Sequence, residues 1–162
     1  LHKNILIFRR FFNSANRYNI VRKVKAELGC KVIYIGTNAV DPTDNDAAYM
    51  GGHIGPLEFL QLMENASFVI TTSFHGTAFA TVFHKPLFSV VQDTESEDGR
   101  MQTLLNALGQ KNSLVYYKSD VPTSLIHSDT IIAKEDHLNS IRQSSEQRLM
   151  DSIHKIRHGK NN

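Results

Sequence analysis

Apolar residues follow two rhythms along this chain. Short, largely apolar runs occupy residues 4–8, 32–35, 68–70, 87–91 and 114–117, as expected of buried strands. Between them, apolar residues recur at helical spacing. Ile20, Val21, Val24 and Leu28 make one face of a helix that Ser14 or Asn16 can cap and Gly29 can stop. Arg22, Lys23, Lys25 and Glu27 make its wet face. Pro56 suits the first turn of a second helix, with Leu57, Leu60 and Met63 as its buried edge and Asn65 as its end. A third helix is predicted over residues 74–83, with Ala78, Phe79, Val82 and Phe83 on the apolar face and Phe74 and Phe79 in the core. Met101, Leu104, Leu105 and Leu108 mark a fourth, ended by Gly109. A short turn or helix after Pro122 carries Leu125 and Ile126. A last helix, capped by Asp136, spaces Leu138, Ile141, Leu149, Ile153 and Ile156 along a stripe. Residues 37–55 are rich in Asp, Asn, Gly and Pro and are expected to form a long loop.

Strand and helix therefore alternate five times. That order predicts an α/β fold: a Rossmann-like, doubly wound parallel sheet in three αβα layers. Ligands of such sheets bind at the carboxyl ends of the strands. Four loops reach that edge: residues 9–14, 36–55, 72–76 and 92–100. Residues 1–158 are expected to be a single domain and 159–162 a frayed tail, within a basic segment that begins near Lys155. The chain opens at Leu1 and enters a strand almost at once, so it is expected to be a piece of a longer two-domain protein.

Composition narrows the partners. The chain has 162 residues and is 41% hydrophobic, and its 18 basic and 16 acidic side chains leave a net charge of +2. So even a balance gives no argument for nucleic acid. No run approaches the length of a transmembrane segment. The single cysteine, Cys30, cannot form a disulfide within the chain and fits a reducing cytoplasm, the expected location. The eight histidines show no metal-ligand spacing, so neither metal nor cofactor is expected. His53, His84, His127, His137, His154 and His158 are read as surface residues.

One stretch carries candidate chemistry. Residues 68–72 close a strand on Thr71 and Thr72, and Ser73-Phe74-His75-Gly76 turns into the third helix. A helix N-terminus presents unpaired N–H groups and the positive end of its dipole, which favours an anion. Gly76 lets a ligand approach the backbone. His75 can donate to a phosphate or move a proton.

Four linked motifs place this turn in a known setting. They are Gly55-Pro56-Leu57-Glu58-Phe59-Leu60, then Glu64-Asn65-Ala66, then the run from Phe68 to Gly76, then Phe83-His84-Lys85-Pro86-Leu87; Gly99-Arg100-Met101 leads the following helix. Together they resemble the C-terminal half of the polysaccharide pyruvyl transferase family. The resemblance implies the C-terminal domain of a GT-B-type fold, with an N-terminal domain elsewhere. It implies transfer of a pyruvyl group from phosphoenolpyruvate to a sugar or lipid-linked saccharide, giving a ketal and phosphate. His75 matches the family's motif histidine and is the expected catalytic residue. Branches that write the turn as Arg-Leu-His-Gly have an arginine where this chain has Ser73. The missing cation is therefore sought in Arg100, with Arg9 or Arg10 second. Thr72, Ser73, Gly76 and Thr77 are expected to complete the substrate site. Two other readings are a GT-B glycosyltransferase domain holding a nucleotide-sugar and a non-catalytic anion- or glycan-binding domain. No GxGxxG turn follows the first strand, which disfavours a dinucleotide site.

Overall fold

The computed structural model describes residues 4–9, 18–36, 43–51, 54–92 and 99–158, with side chains for all but 5–9 and 157–158. Strands β1 (Asn4–Arg9), β2 (Lys31–Gly36), β3 (Ala48–Met50), β4 (Phe68–Thr71), β5 (Leu87–Val91) and β6 (Leu114–Tyr116) form one sheet. Their order is β3-β2-β1-β4-β5-β6, and every neighbouring pair is parallel. The expected Rossmann-like architecture is present.

Strand β3 lies inside the predicted loop. All three of its residues are exposed. It is held at the sheet edge by pairing of Ala48 with Ile33 and by the Tyr49 hydroxyl, which donates to the Gly36 carbonyl at 2.9 Å. Backbone pairing at an edge leaves no apolar signature in the sequence.

Side chains alternate across the sheet with a period of two. On one face Val32, Tyr34, Phe68, Ile70, Phe88 and Val90 pack beneath helix α1 (Asn19–Leu28) and the short α5 (Thr123–Ile126). On the other, Ile35, Val69 and Leu87 meet α2 (Pro56–Asn65) and α3 (Phe74–Val82). Helix α4 (Gly99–Ala107) follows β5 and contacts α3, and α6 (Glu135–His158) closes the chain.

Three apolar faces differ from expectation. Helix α2 packs Phe59, Leu62 and Met63 inward and leaves Leu57 65% exposed. Helix α3 buries Gly76, Thr77, Ala80 and Thr81, while Phe79 and Val82 face outward. Small side chains let α3 lie close to the sheet, and Phe79 packs edge-on against Phe59 instead, 5.4 Å between centroids. In α6 Leu138 and Ile141 pack, whereas Leu149, Ile153 and Ile156 are exposed because the helix runs past the packed body. Helix α6 also continues through Lys155 to His158, part of the stretch expected to fray.

Three histidines expected on the plain surface tie elements together. His84 takes the left-handed conformation (φ 52°) that closes α3, where Lys85 N–H donates to Ala80 O at 2.9 Å. Its Nδ1 lies 2.9 Å from Ala133 O and its Nε2 2.9 Å from Glu135 Oε2. His127 meets Glu27 at 2.8 Å, joining α5 to α1. His137 Nδ1 lies 2.8 Å from Leu108 O, fixing the start of α6 to the end of α4. A Cβ added at Gly109 (φ +69°) would stand 2.6 Å from that imidazole, so glycine is required there twice over.

Candidate functional site

The strand order reverses between β1 and β4. From β1 the chain winds outward through β2 and β3; from β4 it winds the other way through β5 and β6. The crevice beyond the carboxyl ends of two such strands is the binding place of doubly wound sheets. Phe8 pairs with Thr71, so β1 ends at Arg9 one residue beyond the last β1–β4 pair, and the chain leaves β4 through Thr72 next to it. The Ser73–Gly76 turn stands directly above this reversal.

The turn is built from hydroxyls. Ser73 N–H donates to Thr71 Oγ1 at 3.1 Å. The Ser73 carbonyl accepts from Thr77 N–H at 3.0 Å and from Thr77 Oγ1 at 3.1 Å. Thr77 Oγ1 also meets Ser89 Oγ on β5 at 2.6 Å. Ser73 is the N-cap of α3 but its side chain makes no capping bond. The N–H groups of Phe74, His75 and Gly76 precede the first i→i−4 bond, so they have no acceptor within the helix and point to the strand ends.

The expected site residues separate into groups. His75 is exposed at the second position of α3. Thr72 and Ser73 are half-buried beside it, and Gly76 is buried. Thr77 is fully buried and its hydroxyl is engaged on both sides. It therefore braces the turn against β5 and does not face a ligand. Arg9 ends β1 at the reversal; its side chain, like all of Arg10, lies outside the described residues.

Arg100 reaches the turn through an aromatic ring. Its guanidinium carbon lies 5.3 Å from the Phe74 centroid, and Phe74 meets His75 edge-on at 5.9 Å. Phe74, expected in the core, is half-buried and forms this link. Phe74 and Arg100 also line a cleft of about 900 Å³ between α4 and α6. A second cavity, about 650 Å³, lies at the opposite sheet edge, where Lys25 pairs with Asp44 and Arg22 donates to Thr43. Among the described residues no three His, Cys, Asp or Glu side chains gather as metal ligands.

Two contributors are not evident from local sequence: Thr71 reads as a strand end and Ser89 as part of an apolar run. A lone hydroxyl within Leu87-Phe88-Ser89-Val90-Val91 was the available signal, because a fully buried polar group requires a partner. Replacing Thr77 with Val should cost about 1–3 kcal/mol, since it strands the buried Ser89 hydroxyl. Adding Ser89→Ala should recover part of that loss in the same denaturant titration.

Comparison with known proteins gives two kinds of likeness. The family model described as Polysaccharide pyruvyl transferase matches residues 2–94, more than half of the chain. No curated protein matches the sequence. Among solved structures the chain is similar to the spinosyn forosaminyltransferase SpnP, with 15% identity and a TM-score of 0.51. That match covers 90% of this chain and 40% of the other. It is similar also to the glycotransferase of kitacinnamycin, with 16% identity and a TM-score of 0.54, covering 95% of this chain and 43% of that one. The two likenesses are of fold, the Rossmann-like fold of GT-B glycosyltransferases, and the chain spans less than half the length of either.

Proposed function

The chain belongs to the polysaccharide pyruvyl transferase family, and from that premise we propose that its Ser73–Gly76 turn holds phosphoenolpyruvate for transfer to a sugar. The observation that carries this reading is the position of His75. It stands at the N-terminus of α3, above the strand reversal, with N–H groups beside it that lack a helical acceptor.

The reaction joins the C2 carbon of the enolpyruvyl group to two acceptor hydroxyl oxygens. The methylene carbon gains a proton and becomes a methyl group. The C2–O bond to phosphate breaks, and phosphate leaves with the second hydroxyl proton. His75 binds the phosphate and acts as proton donor. An imidazole hydrogen-bonded to the phosphate is placed to hand a proton to the reacting group. The α3 N–H groups, Thr72 and Ser73 add hydrogen bonds. Arg100, and Arg9 from the end of β1, supply the positive charge that Ser73 lacks; a guanidinium grips a phosphate or carboxylate with two bonds.

The acceptor is a hydroxyl of a cell-surface polysaccharide or its precursor. Its other contacts belong to an N-terminal domain, and the reaction to the cytoplasm. No helix among the described residues is long and apolar enough to cross a membrane. The glycosyltransferase likeness favours one rival, a nucleotide-sugar in the same crevice. Thermal titration separates them. Phosphoenolpyruvate at about 100 times its Kd should raise the melting temperature by about 5–10 °C. Nucleotide-sugars should not. Stabilisation by nucleotide-sugars alone would overturn the reading.

A further inference from the structure

Three hydroxyls lie buried beneath the start of α3, where apolar side chains would pack without a polar group to satisfy. Thr71 ends β4 and pairs in register with Ser89 of β5, and Thr77 reaches Ser89 from the helix. Thr71 and Ser89 alternate with Ile70 and Phe88, so they share the sheet face of Val69 and Leu87 that α3 covers. Thr71 is 1% exposed, and Thr77 and Ser89 are 0% exposed. Buried hydroxyls are costly unless they are bonded. The bonds of these three converge on Ser73.

The direction of each bond follows from chemistry. A carbonyl only accepts, so the Thr77 hydroxyl gives its proton to Ser73 O at 3.1 Å. Ser89 is then the donor in its 2.6 Å contact with Thr77 Oγ1. The relay runs from the Ser89 hydroxyl through the Thr77 hydroxyl to the Ser73 carbonyl, which also accepts from Thr77 N–H at 3.0 Å. On the other side of the residue, Ser73 N–H donates to Thr71 Oγ1 at 3.1 Å. The peptide joining Ser73 to Phe74 is therefore fixed in its plane. Across a trans peptide the N–H points opposite to the C=O. Phe74 N–H is thus aimed out of the helix start, toward the strand ends. Ser73 makes no side-chain capping bond, so its hydroxyl does not take up the N–H groups that follow. Hydrogen bonds in series polarise one another, so a peptide whose carbonyl ends such a relay is a stronger N–H donor.

We propose that Thr71, Thr77 and Ser89 are positioning residues: a buried hydroxyl relay that fixes and polarises the Ser73–Phe74 peptide so that Phe74 N–H meets the phosphate of the ligand. They act through that peptide and not on the ligand. The assignment rests on the donor reading of the turn, and it gives Thr77 a part in the site that its burial denies to its side chain alone.

Inorganic phosphate is the probe, followed by the backbone amide shifts of the chain and by calorimetry, with phosphoenolpyruvate titrated alongside. At saturation the Phe74 amide proton should move downfield, as a strengthened hydrogen bond requires. This readout needs no variant. The double variant Thr77→Val/Ser89→Ala should be more stable than Thr77→Val alone, because no hydroxyl is left stranded and Ser73 O keeps its bond from the residue 77 N–H. It should nevertheless bind phosphate and phosphoenolpyruvate about 3–10-fold more weakly than the parent, the worth of one hydrogen bond, with a smaller Phe74 shift. Thr77→Ser keeps the hydroxyl and should stay within about twofold of the parent. A Phe74 amide that does not respond to phosphate would overturn the relay. So would parental affinity in the double variant, or affinities that simply follow melting temperature across the three variants. If phosphate moves Phe74 in a chain that does not bind phosphoenolpyruvate, the donor reading falls and the relay stands. Phosphoenolpyruvate binding with an unmoved Phe74 amide removes only the relay.

Discussion

His75→Ala is expected to lower phosphoenolpyruvate-dependent phosphate release by about 100-fold or more, the usual contribution of a positioned general acid. The melting temperature should stay within about 2 °C of the parent, because the side chain is exposed and packs only edge-on against Phe74. The two readouts together make the result specific. A histidine that merely supported the turn would lower stability and rate in parallel. His75→Gln keeps a hydrogen-bond donor and removes the proton-transfer role. It should recover phosphoenolpyruvate binding better than it recovers the rate. The assay is phosphate release with a sugar acceptor present, using the protein that contains this domain.

The largest effect on stability is expected at Phe88. It is fully buried in β5, next to the central pair of strands, and meets Phe68 of β4 edge-on with 5.0 Å between centroids. Phe88→Ala removes a ring from the face covered by α1 and leaves a cavity that the rigid sheet cannot close. The cost should be about 3–5 kcal/mol, a large share of the roughly 5–15 kcal/mol that holds a domain folded. Chemical denaturation measures it. Phe79→Ala is the informative contrast: Phe79 is 37% exposed, so its loss should cost clearly less.

That contrast also shows where the sequence was legible. Five of the six strands announce themselves because a parallel sheet covered on both faces favours near-continuous apolar runs. Helix α2 begins at Pro56 as Gly55-Pro56 dictates, and α1 ends at Gly29 in the left-handed conformation. Strand β3 was hidden because an exposed edge strand is fixed by its backbone. Hydropathy ranks Phe79 and Val82 above Thr77 and Ala80 and so points to the outward face of α3. What decides the packed face is how closely the helix approaches the sheet. The outward stripe on α6 reflects length: Leu149, Ile153 and Ile156 lie beyond the body against which Leu138 packs.

The candidate site was legible in part for the same reason. Ser73, His75 and Gly76 advertise a turn at a strand end. Alternation of strands and helices cannot say where the strand order reverses, because that is a property of pairing. Only the pairing of Phe8 with Thr71 brings the end of β1 to the start of the Ser73–Gly76 turn. Nor does the sequence show that Arg100 meets the turn by way of Phe74, or that Thr77 spends its hydroxyl on Ser73 and Ser89. Both depend on contacts between segments distant in the chain.

Calorimetric titration of phosphoenolpyruvate into the chain and into His75→Ala tests the central claim most directly. The account predicts saturable one-to-one binding to the parent, weakened about 10-fold or more in His75→Ala, as expected when a charge-assisted contact to phosphate is removed. Equal affinity in both proteins, or no binding to the parent at millimolar ligand, would contradict it.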